Sequence, residues 1–141
     1  MTTQLPEDRN PSPFMDMIGG ELEVWEEGRV VMSLKLEEKH MNPNGVLHGG
    51  VLTSLLDEAT GAAIVTIRGI DIMAESPHAT IDMNVVFVSG TRPGDELVCE
   101  ARVLRLGRSI AFAEGEVRRR GTDDLIAKGQ FTYAILGKRG G

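Results

Sequence analysis

The chain is 141 residues long, 41% apolar and 26% charged, with a net charge of −6 and a single cysteine. Such a length is one domain with room for a core that needs neither disulfides nor metals. The acidic balance argues against nucleic acid as the main partner. A lone thiol excludes an intrachain disulfide and suits a reducing compartment, so a cytoplasmic protein is expected.

Residues 1–13 are polar, contain Pro6, Pro11 and Pro13, and read as a mobile lead-in without an apolar signal core. Residues 14–137 are expected to form one domain, and residues 138–141 a tail. "FMDMIGG" (14–20) fits a short helix stopped by glycine. Residues 21–26 read as a strand, "EEG" (26–28) as a hairpin turn, and the next stretch as its partner. There Val30, Met32, Leu34 and Leu36 alternate with Val31, Ser33, Lys35 and Glu37, the signature of a half-buried strand.

"NPNG" (42–45) is punctuation. It precedes an apolar run, residues 51–67, that reads as a helix of about five turns. At 100° per residue, Val51, Leu52, Leu55, Leu56, Ala59, Ala62, Ala63 and Ile67 form one wide face, and Thr53, Asp57 and Thr60 a narrow polar stripe. Gly69 closes the helix. No run reaches the ~20 residues of a membrane span without polar interruption.

Residues 78–89, 95–107, 108–120 and 125–136 each read as a strand, with turns at "RLGRS" (105–109) and "GTDD" (121–124). In the first of them Ala79, Ile81, Met83, Val85 and Phe87 fall on one side. The short links predict an antiparallel meander. Five or six strands and one dominant, nearly all-round apolar helix make an α+β fold, in which a strongly curved sheet wraps the helix. Aromatics are only 4% of residues, so Val, Ile, Leu, Met and Ala must build the core, with Cys99 as a filler.

Chemistry concentrates at the start of that helix. First-turn N–H groups lack internal partners and carry partial positive charge. Gly49 and Gly50 leave them open to an anion, or to a carbonyl oxygen that becomes one under attack. Asn42 and His48 flank that terminus. Asp57 stands eight residues beyond Gly49, ~12 Å along the axis, too far for one reacting centre. A two-fold dimer would let the Gly49 end of one helix face the Asp57 stripe of the other.

"NPNGVLHGG" followed by "VLTSLLD" resembles the signature of the hot dog fold thioesterases, specifically the phenylacetic-acid-degradation, PaaI-like acyl-CoA thioesterase branch. "ATIDMNVVFVS", "GDEL", "ARVLRLGRSIAF" and "LIAKG" fit its later strands, so the resemblance covers roughly residues 13–136. It implies that the Gly49 amide polarises a thioester carbonyl and that Asn42 and His48 orient substrate or water. It further implies that Asp57 is general base or nucleophile and that Thr80 positions the attacking water. Asp57 and Thr80 would come from one subunit and the other three from its neighbour. A related branch has Glu at the acid with Thr one turn later; here that later position is Gly61, which favours Thr80. The implied substrate is an aryl-acetyl or short to medium acyl-CoA, or an acyl carrier protein thioester. The implied assembly is a homodimer that pairs into a tetramer. No metal or redox cofactor is required for thioester hydrolysis.

Plainer readings stand beside these. Asp57 could be a solvent-face residue, His48 a loop cap, Asn42 a turn former beside Pro43, and Thr80 a β-propensity choice. Arg105 and Arg108 are either a solvated turn or, with Gly50, part of substrate binding, contacting coenzyme A phosphates. Residues 118–120, all arginine, compete for that role. Two other functions fit the same fold: a hot dog dehydratase or hydratase on hydroxyacyl thioesters, and a non-catalytic acyl-CoA binding domain.

Overall fold

The structure, a computed structural model, describes Glu7 and residues 12–137. The expected tail lies outside the described residues, as does the lead-in apart from Glu7, Ser12 and Pro13. Pro13 already belongs to the first helix, α1 (Pro13–Ile18), where its missing N–H costs nothing. The Ser12 hydroxyl caps the helix by accepting from the Met15 N–H at 3.0 Å, and Gly19 ends it in the left-handed region.

Strands β1 (Glu21–Glu26) and β2 (Arg29–Lys35) form the expected hairpin, with Gly28 supplying the positive φ of its turn. The long helix α2 (Gly49–Arg68) follows a loop that begins with a 3₁₀ turn at Glu38–His40. After a second 3₁₀ turn (Ile70–Ala74) come β3 (His78–Phe87), β4 (Glu96–Leu106), β5 (Ile110–Arg119) and β6 (Leu125–Ile135).

The six strands form one sheet in the order β1-β2-β4-β5-β6-β3, every neighbouring pair antiparallel. The expected meander therefore holds only for β4, β5 and β6. β3 crosses to the far edge and pairs with β6, leaving β4 to pair with β2. α2 packs against all six strands. A flat six-stranded sheet would be ~24 Å from edge to edge, about twice the width of a helix. Contacts with both edges require the sheet to curl around α2, as the amphipathic pattern implied.

Small residues on the helix-facing side make that embrace close. Ala101, Ala111, Ala113, Gly115 and Ala127 are buried there. A Cβ at Gly115 would lie 2.7 Å from Leu56 Cδ2, so only glycine admits the helix at this distance. Few aromatics are needed because the layers meet through small and branched side chains. By length and composition alone α2 could cross a bilayer. Here Leu52, Leu55, Leu56, Ala59, Ala63 and Ile64 spend that hydrophobicity on the sheet. Cys99 is fully buried, and burial pushes its thiol well above the usual range, as expected of a core filler.

Two expectations need correction. Ile67, placed on the buried face, is 38% exposed at the open end of the sheet, and Ile64 is buried instead. β2 is not half-buried. Val31 and Ser33 are covered as well. Val31 sits opposite Glu100, which is ion-paired with Arg29 at 2.8 Å across that outer face.

Candidate active site

His48 is the N-cap of α2. Its Nδ1 accepts from the Gly50 N–H at 2.9 Å, so in the neutral ring Nε2 carries the hydrogen. A Cβ at Gly50 would come within 2.9 Å of that same Nδ1. Gly50 is thus glycine to seat the imidazole, and its N–H is already spent. The Gly49 N–H has no partner among the described residues. It is the free donor of the helix terminus, where the helix dipole reinforces it.

Asn42 organises the loop that delivers this terminus. Its Oδ1 accepts from the Asn44 and Val46 N–H groups at 2.9 and 3.1 Å, so the turn-former reading holds for the carbonyl side of its amide. The loop is fastened from below by His40, which is 2% exposed. His40 Nε2 donates to the Ile18 carbonyl at 2.7 Å, and the His40 carbonyl accepts from the His48 N–H.

Asp57 does not face open solvent. The polar stripe of α2 is turned toward the β6–β3 margin of the sheet, and Thr60 in that stripe is fully buried. Thr80 Oγ1 donates to Asp57 Oδ1 at 2.6 Å. The Tyr133 hydroxyl lies 3.0 Å from the same oxygen and 2.8 Å from the Asp57 carbonyl. Two hydroxyls thus converge on Oδ1, and among the described residues none donates to Oδ2. A half-buried carboxylate with one oxygen held and the other open is arranged to take a proton or to attack.

Simple alternation put Thr80 on the face opposite Met83. A β-bulge at Ile81 reverses that phase: Thr80 pairs with Tyr133 and Met83 with Phe131. The bulge therefore aims the Thr80 hydroxyl at the helix. Tyr133 was not singled out in the sequence. Its signal was its place two residues after Phe131 on the inward side of a strand, where a phenol must find a polar partner.

Behind Tyr133 stands His78, edge-on with ring centroids 5.3 Å apart. Arg68 can only donate, so His78 Nδ1 accepts from it at 3.1 Å, and His78 Nε2–H donates to the Gly61 carbonyl. Burial, outweighing the other influences, lowers the His78 pKa and favours this neutral ring.

One chain does not bring every candidate together. Gly49 and Asp57 lie on the same helix, separated by the ~12 Å of its rise. Beside Gly49 is a cavity of about 200 Å³ lined by Val46, Leu47, Leu52, Phe87 and Thr91. The Thr91 hydroxyl there is buried without a partner among the described residues. Arg105 pairs with Phe112 on the outer face of the sheet after a bulge at Leu104, and Arg108 is exposed in the β4–β5 turn. Neither has a carboxylate partner among the described residues. Residues 118–120 do: Arg118 binds Glu116, Arg119 binds Asp95 and Asp124, and Arg120 binds Glu96 and Glu23.

The model of the Thioesterase superfamily matches residues 44–126. Acyl-coenzyme A thioesterase 13 of Homo sapiens is 36% identical over 106 residues, covering 74% of this chain and 71% of that protein. Zebra fish thioesterase superfamily member 2 superposes with a TM-score of 0.78 at 32% identity, over 92% of this chain and 91% of the other. The Escherichia coli PaaI protein of the phenylacetic acid degradation operon shares the fold, with a TM-score of 0.80 at 19% identity over 91% and 87% of the two chains. The matched segment holds the Gly49 terminus, Asp57 and Thr80, and on these grounds the chain belongs to the thioesterase superfamily, with its hot dog fold.

Proposed function

We propose that the protein hydrolyses acyl-CoA thioesters to a free acid and CoA, with Asp57 and the Gly49 amide acting on one carbonyl. The observation that carries this reading is the carboxylate of Asp57, held on Oδ1 by two hydroxyls and open on Oδ2. The unpartnered Gly49 N–H supports it, as does the relative that bears the name acyl-coenzyme A thioesterase 13. Gly49 polarises the thioester carbonyl and takes up its developing negative charge. Asp57 either accepts a proton from water as that water attacks, or attacks the carbonyl itself. Donor and base of these kinds are each worth roughly 10²–10³-fold or more in comparable sites.

Because one helix cannot bring its own Gly49 to its own Asp57, the reading includes a dimer in which each site is shared. Support comes from β3, an unpaired edge strand that carries Thr80 and leaves Ile81 57%, Met83 47% and Phe87 53% exposed. A long apolar edge of this kind invites pairing with another chain. Asn42 and His48 then reach the shared site with Gly49, and Arg105 and Arg108 are free to meet the phosphates of CoA.

The test is release of free thiol from a panel of aryl-acetyl, short-chain and medium-chain acyl-CoAs, with acyl carrier protein thioesters as a second arm. Turnover that falls at least about 10²-fold in Asp57→Ala, with the fold retained, is the expected result. Binding without turnover across the panel, or loss of water from a hydroxyacyl-CoA with the thioester intact, would overturn it.

A further inference from the structure

We infer that Tyr133 is a positioning residue for Asp57: its hydroxyl fixes which carboxylate oxygen faces the substrate. This inference rests on Asp57 being the reacting carboxylate. The phenol is buried, at 3% exposure for the whole residue, and burial raises its pKa, so it stays protonated and able to donate. Its single hydrogen has three acceptors in reach: Asp57 Oδ1 at 3.0 Å, the Asp57 carbonyl at 2.8 Å and Thr60 Oγ1 at 2.7 Å. Thr60 can itself donate to the Leu56 carbonyl at 2.8 Å, to the Asp57 carbonyl at 3.2 Å or to Tyr133.

The charge of Asp57 decides among these arrangements. Hydrogen bonds to an ionised acceptor are roughly twice as strong as neutral ones. With Asp57 charged, the Tyr133 hydrogen goes to Oδ1 and Thr60 donates into the phenol oxygen. The relay runs Thr60 to Tyr133 to Asp57, in parallel with the direct bond from Thr80. Both hydroxyls occupy Oδ1, so Oδ2 is the oxygen left for water or the thioester.

The surroundings are shaped for this contact. Gly61 lies directly against the phenol: a Cβ there would meet its oxygen at 3.4 Å, an ordinary contact. His78 abuts the Tyr133 ring and is itself tied to the Gly61 carbonyl, which holds ring and helix in register. The other ionisable groups acting on Asp57 are Glu58, its neighbour on α2, and His78 on β3. Neither makes a recorded hydrogen bond to it.

Tyr133 is the only tyrosine in the chain, so biosynthetic 3-fluorotyrosine labels that position alone. The ¹⁹F resonance is expected to shift in Asp57→Asn relative to the parent protein, because the phenol donates to that side chain. Tyr133→Phe is expected to lower kcat about tenfold or more and to leave KM within about twofold. A resonance unmoved by Asp57→Asn, or a Tyr133→Phe enzyme with unchanged kcat, overturns the role of Tyr133 while Asp57→Asn remains inactive. Full activity in Asp57→Asn would instead overturn the reading of Asp57 on which this one stands. The fluorine measurement needs no substitution that removes the hydroxyl, so it decides even if Tyr133→Phe fails to fold.

Discussion

Thr80 Oγ1 and Asp57 Oδ1 lie 2.6 Å apart although 23 residues separate them in the chain. The contact exists because the bulge at Ile81 rotates Thr80 toward the helix. A hydroxyl that donates to a carboxylate favours its charged form. Thr80→Val removes the donor that orients the carboxylate and is expected to cost about 10-fold or more in kcat. Thr80→Ser keeps the donor and is expected to stay within a few-fold of the parent enzyme. Equal activity in the Val and Ser variants would reduce Thr80 to a strand former.

That bulge marks the boundary of what the sequence made legible. The helix, its capping loop and all six strands were readable because burial imposes a period of 3.6 or 2 on apolar residues. A one-residue bulge breaks the period-2 rule without a Gly or Pro to announce it. Thr80 was consequently found through a motif, on the wrong face of its strand by alternation. Tyr133 meets Asp57 across 76 residues, and only the β6–β3 pairing brings that hydroxyl to the carboxylate. The place of β3 at the sheet edge was hidden for a similar reason: a short link suggested a hairpin to β4, but β2 had already taken that partner.

In the proposed reading, Arg105 and Arg108 serve CoA recognition and not the chemistry. Both are exposed and without a carboxylate partner among the described residues, whereas residues 118–120 are all ion-paired. Replacing Arg105 and Arg108 together by Ala is expected to raise KM for acyl-CoA several-fold with kcat little changed, and more so at low salt, since exposed charges are screened. The matching acyl-pantetheine lacks the nucleotide phosphates and should show no change. A parallel loss on both substrates would remove these arginines from phosphate binding.

Glu58 carries the clearest pH signature in the fold. Burial, first, and then the adjacent Asp57 hold its carboxyl above the ordinary value, against a hydrogen bond from the Ser12 side chain. In the unfolded chain the same group releases its proton near pH ~4.3. Between that value and the raised one, the folded chain keeps a proton that the unfolded chain has lost. Stability contributed by Glu58 is thus full at low pH, falls as pH rises through the window, and is a net cost above it. Glu58→Gln is expected to be more stable than the parent at pH 7 and no more stable at pH 3. Chemical denaturation at the two pH values measures this. A Gln variant less stable at pH 7 would mean that the ionised carboxylate has a partner worth more than its desolvation.

The proposed sharing of the site between two subunits makes its own quantitative demand. Gly49→Val leaves Asp57 intact but sets a side chain against Phe87, whose ring carbon is 3.4 Å from the Cβ position, and crowds the free amide. Asp57→Ala leaves the amide intact and removes the base. Each homodimer is expected to be inactive, because both of its sites lack one half. In a heterodimer the two lesions fall together in one site, and the other site has a sound Gly49 facing a sound Asp57. Random exchange of equal amounts makes half of the dimers mixed, each with one good site of two, so activity should recover to about 25% of the parent level. Sites built within single chains would give no recovery however completely the subunits exchanged. Following exchange by mass spectrometry of differently tagged chains makes that outcome decisive, because proven mixed dimers without activity would place Gly49 and Asp57 in separate roles.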